Sequence, residues 1–103
     1  MNIKTGVKLL GIKPEIVIAL SVIEPILAKY AQELVITAGI EGKHADRSRH
    51  RCGCAIDFRS RDIRGDSDKL GCHRDMSLAL GVEYNVLVEP THFHLSFVGS
   101  EIS

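Results

Sequence analysis

The chain has 103 residues, of which 13 are basic and 13 are acidic, so its formal net charge is zero. This length suits one domain, residues 1–103, and a composition with 45% hydrophobic and 25% charged residues is that of an ordinary globular protein and excludes a disordered one. Zero net charge argues against nucleic-acid binding through the overall field. A basic cluster in the middle of the chain forms either a solvated loop face or a surface that attracts an anionic substrate: Lys43, Arg47, Arg49, Arg51, Arg59, Arg61 and Arg64.

No apolar stretch reaches the roughly 18 residues that a membrane-spanning helix needs. The stretch at residues 16–23 is closed by Glu24 and Pro25. The N-terminal region has no small-residue cleavage site of the kind that follows a secretory signal. We therefore expect a cytoplasmic protein with no membrane insertion, and the sequence leaves its oligomeric state open.

The first half of the chain predicts one helix and two strands. Pro14 and Glu15 are typical of a helix start, and the apolar spacing continues to about Gln32, with Pro25 as a candidate kink. A short strand is predicted at 34–37, and a polar loop at 38–47 leads to a strand at 52–58.

The second half predicts a helix over 68–80 that Asp66 or Ser67 caps and Gly81 ends. Two strands, 82–88 and 92–98, follow and form a hairpin around Pro90 and Thr91. The pattern predicts an α+β fold in which a small antiparallel sheet packs its apolar face on the two helices.

Strand alternation sorts the polar residues onto the other face of this sheet. Asp57 falls on the same face as Gly53 and Ala55, and His92 falls on the same face as His94 and Ser96. We expect these residues to line an open groove. Ile56, Phe58, Phe93 and Leu95 then point toward the core.

The three cysteines, Cys52, Cys54 and Cys72, are an odd number, which favours reduced thiols over a disulfide framework. We interpret them as buried apolar side chains. A structural zinc site that combines these cysteines with His73, His92 and His94 is the alternative, but one residue between Cys52 and Cys54 is shorter than the usual spacing of two to four.

The groove residues predict a catalytic zinc site. His50, Asp57 and His92 offer two nitrogen ligands and one oxygen ligand, which leaves the fourth position of a tetrahedral zinc ion for water. Gly53 and Ala55 are small enough to leave room for metal and substrate. Glu89, three residues before His92, is the candidate general base that takes a proton from the attacking water.

These residues carry a resemblance to a known family. Ser48-x-His50-x-x-Gly53-x-Ala55-x-Asp57 resembles the signature of the zinc D-Ala-D-Ala carboxypeptidases, and Glu89-x-x-His92-x-His94 resembles their second motif. That family includes vancomycin-resistance dipeptidases and L-alanyl-D-glutamate endopeptidases, and it shares a fold with the zinc domain of hedgehog signals. Short phage-type members are the most similar.

The resemblance implies that His50, Asp57 and His92 bind zinc, that Glu89 is the catalytic base and that Ser48 lines the substrate cleft. For His94 it favours a substrate contact or a contact with the ligands over direct metal ligation. The family arginine that stabilises the oxyanion has no counterpart in residues 37–44, so His44 or Lys43 is the candidate replacement; a solvated loop residue is the alternative for His44.

The expected function is therefore hydrolysis of a peptide bond in the peptidoglycan stem peptide by a zinc metallopeptidase. The bond is either D-Ala-D-Ala or L-Ala-D-Glu. Such an enzyme resembles phage endolysins, which accumulate in the cytoplasm and reach the cell wall when the membrane is breached. The alternatives are a non-catalytic, zinc-stabilised binding module of the same fold and a structural zinc protein that uses the cysteines.

Overall fold

The computed structural model describes residues 1–40 and 53–99, which form two helices and a five-stranded mixed sheet. In chain order the elements are β1 (Asn2–Ile3), α1 (Pro14–Lys29), β2 (Val35–Ala38), β3 (Ala55–Arg59), α2 (Gly65–Leu80), β4 (Tyr84–Val88) and β5 (His92–Phe97). The predicted α+β class and the β4–β5 hairpin are confirmed.

The strand order across the sheet is β1-β2-β3-β5-β4. β1 runs parallel to β2, whereas the other neighbours are antiparallel. The prediction of a purely antiparallel sheet was therefore wrong. Sequence patterning missed β1 because this strand has two exposed residues and no alternation of apolar and polar side chains.

Helix α1 begins at Pro14 as predicted but ends at Lys29, three residues before the predicted end. Ala31 has a positive φ of 57°. Its N–H donates to the Ala28 carbonyl oxygen, and the Gln32 N–H donates to that of Leu27, at 3.1 Å each. This pair of bonds is the Schellman arrangement, which ends a helix by placing one residue in the left-handed region.

Helix α2 begins at Gly65, and neither Asp66 nor Ser67 is its cap. Arg64 occupies the N-cap position and makes no side-chain capping bond. Asp66 and Asp68 instead lie in the first turn, where a negative charge interacts favourably with the helix dipole. Gly81, with φ of 87°, follows the last helical residue as predicted.

The two helices cover one face of the sheet and form a single core with it. Ile56 and Phe58 of β3 are fully buried in this core, as are Phe93 and Leu95 of β5. The rings of Phe58 and Phe93 pack with their centres 5.4 Å apart. Alternation therefore identified the apolar face of both strands correctly, and the opposite face carries the polar candidates. In the described ranges, neither helix is long and apolar enough to cross a membrane.

Candidate active site

The pairing of β3 with β5 brings together the candidate residues of the two sequence motifs. In this antiparallel ladder Asp57 lies directly opposite His94, and Arg59 lies directly opposite His92. Directly opposite residues place their side chains on the same face of a sheet. Asp57, Arg59, His92 and His94 therefore share the face that points away from the helices, as the alternation predicted for Asp57 and the histidines.

The Asp57 carboxylate lies between the two histidines. Its Oδ1 accepts a hydrogen bond from His94 Nδ1 at 2.8 Å, and its Oδ2 lies 3.6 Å from His92 Nε2. The Asp57 side chain is only 15% exposed, whereas His92 is 32% exposed. His94 thus holds the carboxylate in place, and the imidazole of His92 is the more exposed side chain of the Asp57–His92 pair.

The distances from Asp57 to His92 and to His94 indicate which of the two histidines could bind a metal ion together with Asp57. Two ligand atoms about 2.0–2.1 Å from one tetrahedral zinc are about 3.4 Å apart. The 3.6 Å between His92 Nε2 and Asp57 Oδ2 suits such a pair. The 2.8 Å contact of His94 is instead an ordinary hydrogen-bond length. The geometry favours Asp57 and His92 as ligands and His94 as the residue that orients the carboxylate.

A complete metal site requires at least one more ligand. No group of three or more histidine, cysteine or acidic side chains in the described residues is arranged to hold a metal ion. The third predicted ligand, His50, lies outside the described residues. The zinc site therefore stays a prediction, for which the structure supplies two fitting partners.

Glu89 lies at the hairpin turn that precedes His92. The Glu89 N–H donates to the His92 carbonyl oxygen at 3.0 Å, which closes the turn across Pro90 and Thr91. The Ser60 N–H donates to the Thr91 carbonyl oxygen at 3.1 Å and ties the turn to the end of β3. Because Glu89 and His92 pair across the hairpin, their side chains belong to the same sheet face. Glu89 is partly buried there.

Gly53 has a structural role that the sequence motif did not reveal. Its φ is 77°, and a Cβ built on it would overlap the carbonyl oxygen of Gly11. The Lys13 N–H also donates to the Gly53 carbonyl oxygen at 3.0 Å. The space that Gly53 leaves is thus occupied by the Gly11 backbone rather than kept free for metal and substrate. Ala55 is fully buried and pairs with Ser96.

The described cysteines do not contribute to the groove. Cys72 is a fully buried free thiol in the core, where burial raises its pKa to about 12. Cys54 is buried but disulfide-bonded, so the expectation of reduced thiols holds for Cys72 and was wrong for Cys54. His73 Nε2 lies 2.7 Å from the Val86 carbonyl oxygen. Cys72 lies in the core, on the opposite side of the sheet from His92 and His94. This separation argues against a structural zinc site that combines the cysteines with these histidines.

A cavity of about 330 Å³ adjoins Asp57 and His92. It is lined by Lys4, Thr37, Ala38, Asp57, Arg59, Arg61, Thr91 and His92. The β2–β3 pairing shifts register between Ile36 and Ala38, and such a bulge redirects side chains near functional sites. This irregularity explains how the consecutive residues Thr37 and Ala38 both reach the cavity.

Sequence reasoning did not assign Lys4, Thr37 or Thr91 to the site. Lys4 directly follows the missed strand β1, and Thr37 reaches the cavity through the bulge. The sequence could have assigned Arg59 to the site, because this residue lies two positions after Asp57 and therefore on the same face of the strand.

The remaining predicted site residues, Lys43, His44, Ser48 and His50, lie outside the described residues. Comparison of the chain with protein-family models, with curated proteins and with solved structures gave no match.

Proposed function

We propose that this protein is a zinc metallopeptidase that hydrolyses a peptide bond of the peptidoglycan stem peptide. The observation that carries the proposal is the meeting of the two sequence motifs on one face of the sheet. Asp57 Oδ2 of the first motif lies 3.6 Å from His92 Nε2 of the second. Both residues line a cavity of about 330 Å³, which is within the usual size range of small-ligand sites.

Each residue of this site has a distinct role in the proposed reaction. Asp57 and His92, together with His50, would hold the metal. His94 donates a hydrogen bond to Asp57 and keeps its second oxygen turned toward His92. Zinc, when bound, polarises the scissile carbonyl and lowers the pKa of the attacking water toward about 7.

Glu89 is the proposed general base. Its backbone pairing with His92 across the hairpin supports a role for its carboxylate beside the proposed metal ligands. A carboxylate at this position takes a proton from the attacking water and passes it to the leaving nitrogen. The nitrogen then departs as a neutral amine. Without this proton it would have to depart as an amide anion, which is too strong a base to leave at neutral pH.

Digestion of isolated peptidoglycan tests this proposal. The zinc-loaded protein is compared with Glu89→Ala and with Glu83→Ala, an exposed glutamate that precedes β4 on the same hairpin. We expect Glu83→Ala to match the unchanged protein and Glu89→Ala to lose at least about 100-fold in rate. Mass spectrometry of the released muropeptides identifies whether D-Ala-D-Ala or L-Ala-D-Glu is cut. Equal rates for both variants would exclude Glu89 as the base.

The absence of a counterpart to the family arginine favours one other function. A protein that binds zinc and muropeptides but releases no product would be a non-catalytic binding module of the same type. The same digestion separates the two, because only the peptidase produces new amino termini. If activity is found, the resemblance to phage-type members suggests a role in cell-wall lysis after release from the cytoplasm.

A further inference from the structure

Strand β4 forms one edge of the sheet. In the part of the chain that the structure describes, β5 pairs with one side of β4 and no strand pairs with its other side. The residues of β4, Tyr84–Val88, include no proline and no charged side chain. Proline and charge are two of the features that keep a sheet edge from pairing with another strand. The sequence of β4 is therefore that of a strand that can pair on both sides.

The hydrogen bonds at the two ends of β4 show which backbone groups point away from β5. The Glu89 N–H donates to the His92 carbonyl oxygen at 3.0 Å. At the other end, the Glu83 carbonyl oxygen accepts a bond from the Val98 N–H at 2.8 Å. The odd-numbered residues thus bond to β5, and in an antiparallel ladder the residues between them direct their N–H and carbonyl groups to the opposite side. These outward-facing residues are Tyr84, Val86 and Val88.

The contact of His73 agrees with this direction. His73 Nε2 lies 2.7 Å from the Val86 carbonyl oxygen, so this oxygen points away from β5 and toward α2. A carbonyl oxygen has two lone pairs, and one of them is left for another donor. The Val86 N–H and both backbone groups of Val88 face the same edge. They have the spacing at which a further antiparallel strand forms its hydrogen bonds.

Exposed apolar side chains surround this row of backbone groups. Leu87 is 46% exposed and pairs with His94, so it lies on the groove face. Val88 is 38% exposed and lies on the helix face. On α2, Leu70 is 60% exposed and follows Lys69, which reaches the backbone of the hairpin. Apolar side chains on both faces of an edge are favourable for a partner that covers the edge.

We propose that a second copy of this chain covers this edge, with β4 antiparallel to β4 about a two-fold axis at Leu87. In this register Leu87 lies opposite Leu87 of the second copy, and Val86 lies opposite Val88 of the second copy. Backbone hydrogen bonds then form in both directions between Val86 and Val88 of the two copies. The two sheets become one continuous sheet whose grooves lie on the same face, and the contact is self-complementary, as two-fold symmetry requires.

Charge complementarity favours a second copy as the partner. Lys69 Nζ donates to the Pro90 carbonyl oxygen at 3.1 Å, so its ammonium lies at one end of the edge, near Thr91. With Leu87 on the axis, Glu83 of the second copy lies opposite Thr91 and therefore near this ammonium. Symmetry repeats the contact at the other end. An exposed ion pair adds little affinity, and its effect is to fix the register.

The acidic residues also distinguish this register from its neighbour. With Val86 on the axis, Glu83 would lie opposite Glu89 of the second copy, and like charges directly opposite each other are destabilising. With Leu87 on the axis, Glu89 lies opposite Asn85 of the second copy, whose amide can donate a hydrogen bond to it.

Sedimentation equilibrium of the full chain over a concentration series tests this proposal. Leu87→Lys places two ammonium groups opposite each other on the axis. Val88→Pro removes an outward N–H, a change that a sheet edge tolerates. Leu78→Lys is the matched control, since Leu78 is an exposed leucine of α2 about two helical turns from Leu70. Thermal unfolding of each variant verifies that the fold is intact.

We expect the wild-type protein to form a reversible dimer, whose weak affinity follows from the small interface. Leu87→Lys and Val88→Pro should each raise the dissociation constant about 10-fold or more, and Leu78→Lys should leave it unchanged. Lys69→Glu should weaken the dimer, and Glu83→Lys in the same chain should restore it. A wild-type protein that stays monomeric up to about 1 mM, or a dimer that neither β4 variant weakens, would overturn the proposal.

Hydrogen exchange identifies the paired surface independently. The amides of Val86 and Val88 should exchange more slowly at high protein concentration, whereas the Tyr84 amide, which already donates to the Gly81 carbonyl oxygen, should change little. A dimer that leaves the Val88 amide unprotected would place the contact elsewhere and overturn the assignment. Protection that requires added peptidoglycan fragments would assign the edge to a peptide strand instead of a second copy. Hydrolysis plays no part in these measurements, so this proposal and the proposed peptidase can fail separately.

Discussion

Replacement of His94 by alanine is expected to weaken zinc binding about 10- to 100-fold without abolishing it. His94 Nδ1 donates to Asp57 Oδ1 at 2.8 Å, and the carboxylate that accepts this bond is only 15% exposed. A hydrogen bond to a charged group contributes about 1.5–3 kcal/mol. A loss of this size corresponds to a factor of about 10 to 150 in a binding constant, in agreement with the effect of removing a residue that orients a metal ligand.

Zinc affinity is measured by competition with a chromophoric chelator at fixed pH. Asp57→Ala and His92→Ala supply the reference for loss of a ligand, and we expect both to weaken binding more than His94→Ala does. His94→Asn retains an N–H donor near the position of Nδ1 and should recover much of the affinity. His73→Ala is the control, since this partly buried histidine hydrogen-bonds to a backbone oxygen in another part of the fold.

Two results would refute the reasoning. An affinity of His94→Ala within twofold of the wild-type value would mean that the hydrogen bond does not orient Asp57 for metal binding. A loss as large as that of His92→Ala, with no recovery in His94→Asn, would make His94 a ligand instead.

Four further predictions concern the fold that supports the site. Gly53→Ala should lower the free energy of unfolding in urea by about 2–5 kcal/mol, because it adds left-handed strain and a backbone clash; an unchanged midpoint would contradict this. Ala31→Gly should raise stability by about 0.5–1 kcal/mol in the same assay, since glycine adopts the positive φ of 57° without strain. Burial raises the pKa of Cys72 to about 12, so iodoacetamide at pH 8–9 should label it only after unfolding, and its contribution to stability should disappear as the pH rises from about 9 to 12. The hydrogen bond from Tyr30, with nearby Lys29, lowers the pKa of Asp75; Tyr30→Phe should therefore be less stable than wild type at pH 7, and the difference should shrink as the pH falls below the usual pKa of an aspartate and through the lowered one.

Local rules predicted the parts of the structure that depend on neighbouring residues in the chain. The start of α1 at Pro14 and the stop of α2 at Gly81 follow from backbone preferences of single residues. The helix end at Lys29 was missed because Ala31 adopts a left-handed conformation that alanine rarely takes. Strand β1 was missed because its two residues are held by pairing with β2, which local pattern does not reveal.

Some features of the candidate site likewise follow from the local sequence, and others depend on the tertiary structure. A strand alternates its side chains every two residues, so the sequence alone determined that Asp57 faces away from the core and that His92 and His94 share one face. Only the β3–β5 register decided that His94 lies opposite Asp57 and that Arg59 lies opposite His92. Register depends on contacts between segments about 35 residues apart, and no local preference encodes it.

The cavity depends most strongly on tertiary structure. Lys4 and Arg59 are far apart in the chain, and they line one cavity because β1 joins the sheet beside β2, which pairs with β3. The sequence determined that the basic residues were present and that the residues of a predicted metal site were near them in the chain. The sheet decided which of these cations lie beside Asp57 and His92, since side chains on separate strands meet only when the backbone hydrogen bonds between those strands have formed.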